Sequence, residues 1–308
     1  MSFSRDVKEE VSKIKLNRHC ALWELHGLLN NHCVIDINHG IHIKCETEKF
    51  FLANRIFYLI KSEFNCTIDI KISKKFRRNK YMYNIRVNDA LKILLATKII
   101  NKKNKNYYLD FFYSDISMAK KCCQNANLRG EFIGCGSLSD PNKGYHLEFV
   151  KRDVKDLKNI IYITNIYNLN GKIVKRKDYY VLYIKESEKI SDFLNIIGAH
   201  NLLLKLEDMK IYKDIRNNLN RKQNLEMANL NKTITAAVNY IDDINYIIKN
   251  KGLEYLPKDL QDLAELRLSE TDITLKEIGD RMVPPISKSK VYYKFKKISK
   301  IAESIRSV

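Results

Sequence analysis

Two sets of side chains in this sequence have the types and spacing to do chemistry. The first lies between His19 and Cys45, where five of the seven histidines and three cysteines gather: His19, Cys20, His26, His32, Cys33, His39, His42 and Cys45. Imidazole and thiolate are the ligands zinc takes. The spacing is irregular and His39 falls in a predicted turn, so the expectation is of satisfied or exposed histidines, with no metal and no cofactor. The second set stands near the C-terminal end. Lys288, Ser289, Lys290, Tyr292, Tyr293, Lys294, Lys296, Lys297 and Lys300 share one predicted helix, with Ser287 before it and Lys276 on the helix preceding it. Ammonium groups hold phosphate oxygens, whereas hydroxyl-bearing side chains can meet base edges. The expected base-edge residues are Ser289, Tyr292, Tyr293 and Lys296, with the other lysines on phosphates and double-stranded DNA as the partner. No Gly-rich phosphate loop, Ser/His/Asp order or nucleophile elbow occurs.

The elements that must position this second set are legible locally. Thr274 and Glu277 have capping-box spacing, and Leu275, Ile278 and Met282 give a short helix one apolar face. Pro284-Pro285 stops that helix, and Ser287 is a good cap for the next. Val291, Phe295, Ile298, Ala302 and Ile305 then fall on one stripe, opposite Ser289, Tyr293, Lys296 and Lys300. Helix, tight turn and amphipathic helix form the helix-turn-helix plan. Charge segregates across it. Gly252 to Val283 holds four basic and eight acidic residues, net −4, and Pro284 to Val308 holds seven basic and one acidic, net +6.

The chain has 308 residues, 45% of them hydrophobic, and carries a formal net charge of +19. That size allows two domains, and that charge favours a polyanionic partner. No apolar run approaches membrane-spanning length and the first residues lack an apolar signal core. The expected setting is therefore cytoplasmic and nucleoid-associated, away from membrane. Seven cysteines include no CxxC pair, and Cys122 and Cys123 are adjacent; reduced, mostly buried thiols are expected.

The first two thirds contain a repeat. "ELHGLLNNHCVIDINHGIHIKCE" from Glu24 echoes "NLRGEFIGCGSLSDPNKGYHLEFV" from Asn127, each a helix with Leu-x-Gly followed by a hairpin. Helical stretches at 48–64 and 153–167 correspond. "KKFRRNKYMYNIRV" from Lys74 then parallels "KIVKRKDYYVLYIK" from Lys172, and each leads into another helix. The order α-β-β-α-β-β-α occurs twice. A helical glycine costs about 1 kcal/mol relative to alanine, so Gly130 and Gly134 in one helix imply a backbone passing close by, expected at Gly27 of the other copy. Arg77, Arg78 and Lys80 would match Lys175, Arg176 and Lys177 as a doubled basic rim able to touch DNA backbone.

At these residues the pattern resembles the LAGLIDADG homing-endonuclease fold, a pseudo-dimer with a saddle of antiparallel sheets. The resemblance implies an acid at the end of each first helix, the pair holding divalent metal for phosphodiester cleavage. The corresponding positions here are His32 and Cys135, neither a hard oxygen ligand, while Asp36 and Asp140 lie downstream on predicted hairpins. More closely, the whole chain resembles the WhiA family, through "FSRDVKEEVSKI", "LRGEFIGCGSLSDPNKGYHLEFV", "NRKQNLEMANLNKTITAAVNYIDDINYI", "LPKDLQDLAELRL" and "TLKEIGDRMVPPISKSKVYYKFKKI". That likeness implies a degenerate nuclease-like domain over 1–217, with repeats at about 17–100 and 115–200. A linker and helix over 218–251 and a helix-turn-helix domain over 252–308, its motif about 271–305, follow. It also implies a DNA-binding regulator of cell division, chromosome segregation and, in some members, sporulation. The nuclease-like domain is expected either to add DNA-backbone contacts or to serve as a docking platform for a protein partner. The chain departs from the family pattern at Lys290, where glycine is common, and at Tyr292 and Tyr293, where polar residues are usual. The rival readings are a metal-dependent DNA endonuclease and a cell-division adaptor with incidental DNA binding.

Overall fold

Three glycines set the centre of the fold. A computed structural model describes residues 2–36, 40–75, 80–103, 106–109 and 114–307. In it, helices α2 (Arg18–His32) and α5 (Lys121–Cys135) run side by side at backbone contact. A Cβ on Gly27 would lie 2.8 Å from the Glu131 amide nitrogen, and one on Gly134 would lie 2.7 Å from Asn31 Cβ. A Cβ on Gly130 would collide with the Glu24 carbonyl. The helical cost of glycine is thus offset by close packing, as the repeat implies.

Helix α1 (Phe3–Val11) precedes the first copy. After α2 come β1 (Cys33–Asp36), β2 (His42–Thr47), α3 (Phe50–Glu63), β3 (Ile68–Lys75), β4 (Lys80–Val87) and α4 (Leu91–Ala96). A hairpin of β5 (Ile100–Lys103) and β6 (Asn106–Leu109) separates the copies. The second copy follows α5 with β7 (Gly136–Leu138), β8 (Leu147–Lys151), α6 (Lys158–Ile166), β9 (Lys172–Arg176), β10 (Tyr179–Ile184) and α7 (Ser187–Ile197). The two antiparallel sheets have matching orders, β1-β2-β4-β3 and β7-β8-β10-β9. This is the duplicated αββαββα plan. Side chains from both copies share one core that includes Leu25, Leu29, Ile56, Phe132, Phe149 and Phe193.

A buried ion set on Glu24 ties three helices of this core together. Glu24 on α2 accepts from Arg55 Nε of α3 at 2.5 Å and from Arg129 Nη1 of α5 at 2.9 Å. Removing one partner from such a buried set costs about 3–5 kcal/mol, because it leaves an uncompensated charge.

The chain divides into two compact units, Met1–Tyr212 and Lys213–Val308. The boundary falls inside α8 (His200–Lys251). The sequence reading places a linker before a helix in 218–251, but one continuous helix covers the stretch, since no glycine or proline interrupts 200–251. The second unit continues with α9 (Lys258–Ser269), α10 (Leu275–Arg281) and α11 (Lys288–Arg306). It has its own apolar core, built from Ile244, Leu260, Leu263, Ile278, Phe295 and Ile298 among others. Among the described residues, no helix is long and apolar enough to cross a membrane.

One cysteine expectation is corrected. Cys33 and Cys45 form a disulfide, with Cα atoms 4.2 Å apart, because the β1–β2 register sets them opposite one another. The remaining described cysteines are free; Cys20 and Cys123 are buried and Cys122 is exposed.

Candidate nucleic-acid interface

In the second unit, the elements around α11 form as the local signals imply. Thr274 Oγ1 accepts from the Glu277 amide, and Glu277 Oε2 accepts from the Thr274 amide at 2.7 Å, closing the capping box on α10. The turn then passes tightly over Gly279. Ile286 N donates to the Gly279 carbonyl at 2.9 Å, and a Cβ on Gly279 would collide with the Ile286 carbonyl. Ser287 caps α11 by accepting from the Lys290 amide. Its hydroxyl therefore sets the start of the helix.

Val291, Phe295, Ile298 and Ala302 are buried, and Tyr240 of α8 stacks on Phe295 with ring centroids 4.5 Å apart. This apolar stripe fixes the rotation of α11. Ser289, Lys290, Tyr292, Tyr293, Lys296, Lys297 and Lys300 are left exposed on it, Lys288 at its first turn, and Lys276 on α10. Tyr292 and Tyr293 meet edge to face, their centroids 5.8 Å apart. Lys294 departs from the set. Its Nζ lies 3.0 Å from Asp259 Oδ2 and donates to the Asp259 carbonyl at 2.9 Å, so it ties α11 to α9.

The basic rim is partly described. Arg77 and Arg78 lie outside the described residues. Lys80 and Lys175, Arg176 and Lys177 are exposed, at the start of β4 and in and after β9. Lys80 Nζ is 3.6 Å from Glu48 and Arg176 Nη1 is 3.5 Å from Glu148; Lys175 sits over the Tyr180 ring.

The helix ends where the resemblance implies a metal hold something else. His32 Nε2 donates to the Gly134 carbonyl at 2.9 Å, and burial holds its imidazole below the ordinary pKa. Burial pushes the Cys135 thiol up to about 12. Lys8 of α1 reaches the end of α5, its Nζ donating to the Ile133 carbonyl at 3.1 Å. A cation there complements the negative end of a helix dipole, although burial lowers the Lys8 pKa to about 7. Lys151 Nζ lies 2.8 Å from Glu131 Oε2. Burial alone would depress the Lys151 pKa, but the nearby Glu131 carboxylate raises it. Asp36 stays on β1, 4.0 Å from Lys44, and Asp140 Oδ1 accepts from the Asn142 amide in a turn. A thiol, an imidazole, two lysine amines and one carboxylate already paired with Lys151 do not suit a hard divalent ion that needs several charged oxygen ligands.

The histidine and cysteine set from 19 to 45 is not brought together. His26 is buried with Nδ1 2.9 Å from the Thr97 carbonyl, Cys33 and Cys45 are bonded to each other, and His39 lies outside the described residues. His19 and Cys20 meet Cys122 and Cys123 instead. The sequence reading also missed a basic groove of about 1210 Å³ bordered by Lys8, Lys13, Lys15, Lys49, Lys80 and Cys135. Its signal was the Lys8–Lys15 stretch, whose charges converge with Lys49 and Lys80 only in the fold.

Three family profiles match the chain: the WhiA N-terminal LAGLIDADG-like domain over residues 18–100, the WhiA LAGLIDADG-like domain over 124–216, and the WhiA C-terminal HTH domain over 219–302. A Clostridium tetani protein named "Probable cell division protein WhiA" is 39% identical over 99% of this chain and 98% of its own length. A Caldicellulosiruptor saccharolyticus protein of the same name is 40% identical over 99% and 96%. The crystal structure of full-length WhiA from Thermatoga maritima is similar with a TM-score of 0.61 and 26% identity, covering 99% of both chains.

Proposed function

Because the chain belongs to the WhiA family, we propose that it is a sequence-specific DNA-binding regulator of cell division that does no nuclease chemistry. Chromosome segregation and, in sporulating cells, sporulation are the processes such a regulator would serve. The observation that carries the reading is the division of α11 into two faces. One closes the core of its unit through Val291, Phe295, Ile298 and Ala302, and the other is left to solvent with lysines, tyrosines and a serine. In this reading α11 enters the major groove. Ser289, Tyr292, Tyr293 and Lys296 meet base edges, while Lys276, Lys288, Lys290, Lys297 and Lys300 hold phosphates. Ser287 and Lys294 position the helix, one by capping it and the other by tying it to α9. The LAGLIDADG-like domain adds backbone contacts through Lys80, Lys175, Arg176 and Lys177, with Arg77 and Arg78 beside them, or docks a protein partner. Two DNA-facing parts on one chain raise avidity.

The helix ends support the absence of catalysis: there His32 and Cys135 stand where the resemblance implies acids, and Lys8 and Lys151 bring positive charge. Supercoiled plasmid with Mg²⁺ and the full chain tests both halves of the proposal. Retarded but uncut DNA, with affinity falling steeply as salt rises, is expected. Nicking abolished by Asp36→Asn plus Asp140→Asn would establish the endonuclease reading instead, and salt-independent or absent DNA binding would favour a protein adaptor.

A further inference from the structure

The N-terminal ends of α2 and α5 carry a second constellation. His19 and Cys20 occupy the first turn of α2, and Cys122 and Cys123 the first turn of α5. One ligand atom from each lies within 4.8 Å of every other. His19 Nδ1 is 3.2 Å from both Cys20 Sγ and Cys123 Sγ. A zinc ion with Zn–S of about 2.3 Å and Zn–N of about 2.0 Å separates its tetrahedral ligands by roughly 3.5–3.8 Å. The four atoms therefore already converge at nearly that spacing. We propose that His19, Cys20, Cys122 and Cys123 form a Cys₃His zinc site that joins the two repeats at the start of their central helices.

Several features of the surroundings suit that ion. Three thiolates and one neutral imidazole around Zn²⁺ leave a net charge of −1. The positive ends of two helix dipoles stabilise such a charge. Cys20 and Cys123 sit in a small apolar cluster with Ala126, against Leu16, Trp23 and Ala119, so two sulfurs are shielded from water. His19 and Cys122 are exposed, which leaves a route for the ion. Uptake requires the three thiols to release their protons to solvent as the metal–sulfur bonds form. No electron is transferred. The set is separate from the position near His32 and Cys135, which lies at the opposite ends of the same helices. It draws two ligands from each repeat, so it acts as a cross-link between the copies and is independent of the DNA-binding proposal.

The test uses the reduced full-length chain. Zinc content is measured by mass spectrometry, and Co²⁺ is added to the zinc-free protein. Expected are one zinc per chain and the intense visible bands of tetrahedral cobalt with thiolate charge transfer in the near ultraviolet. Cys122→Ser and Cys20→Ser should each lower zinc content at least tenfold and abolish the cobalt bands, whereas Cys66→Ser should leave both unchanged. Cys122 is exposed, so Cys122→Ser should keep the parent's circular dichroism. No stoichiometric uptake by the reduced chain would overturn the proposal. So would uptake indifferent to Cys122→Ser and Cys20→Ser, or cobalt bands of an octahedral, oxygen-ligated ion.

Discussion

The two ends of the α2–α5 pair have opposite chemistry. At the C-terminal ends, where the sequence resemblance implies acids, stand His32, Cys135, Lys8 and Lys151. At the N-terminal ends stand three thiols and an imidazole within 4.8 Å of one another. Between them, Gly27 and Gly130 keep the helices at backbone contact, and Gly134 makes room for the Asn31 side chain. The difference teaches that the helix crossing is one feature and the chemistry at its ends another. The close packing is maintained by glycines and by the Glu24 ion set, whichever side chains occupy the ends.

The comparison breaks most severely if its middle fails. Glu24→Ala strands Arg55 and Arg129 in the core, and the first unit should lose about 3–5 kcal/mol. Urea unfolding followed by Trp23, the single tryptophan, reads this unit directly. Gly130→Ala drives a methyl group into the Glu24 carbonyl, and about 1–3 kcal/mol should be lost in the same measurement. Unchanged stability in either variant would mean that the helices do not meet as described.

The comparison sharpens at the C-terminal end through pH. The Lys8 pKa falls from 10.5 to about 7 in the fold. Between those values the unfolded chain binds more protons, so stability should rise as pH increases through that window. Below about pH 7 both states are charged and the full cost is present. Lys8→Met should remove the Lys8 contribution to the slope between pH 7 and 9, giving a flatter Trp23-monitored stability profile than the parent's. An identical slope in the variant would place Lys8 in water. The smallest effect concerns a single phosphate contact. Lys297→Ala should weaken all DNA sequences alike and reduce the salt slope by about 1, as read by fluorescence anisotropy over a salt series.

What was legible in the sequence is what local rules govern. The capping box at Thr274, the proline stop and the apolar stripe of α11 each involve neighbours in sequence, and each forms. The repeat was legible because both copies keep the same order of turns and strands, and Gly130 pointed to a close backbone because a helical glycine needs a reason. What escaped depends on distant partners. Cys122 and Cys123 read as an awkward pair because their companions are about a hundred residues away, at His19 and Cys20. Lys8 is one charge in a stretch that alternates charged and apolar residues, and only the fold brings it to Ile133. The Cys33–Cys45 bridge was within reach, since an antiparallel pairing of the two alternating runs sets those positions opposite one another in the register. Lys294 read as one more phosphate lysine because its partner, Asp259, lies a full helix earlier.

The central claim is that the exposed face of α11 reads DNA sequence. Selection from a random duplex pool by the full chain, compared with Tyr293→Ala plus Lys296→Ala, tests it most directly. A single enriched motif that blurs or vanishes in the variant, while weaker salt-sensitive binding persists, is the expected result. The same motif recovered at the same affinity by the variant would contradict it.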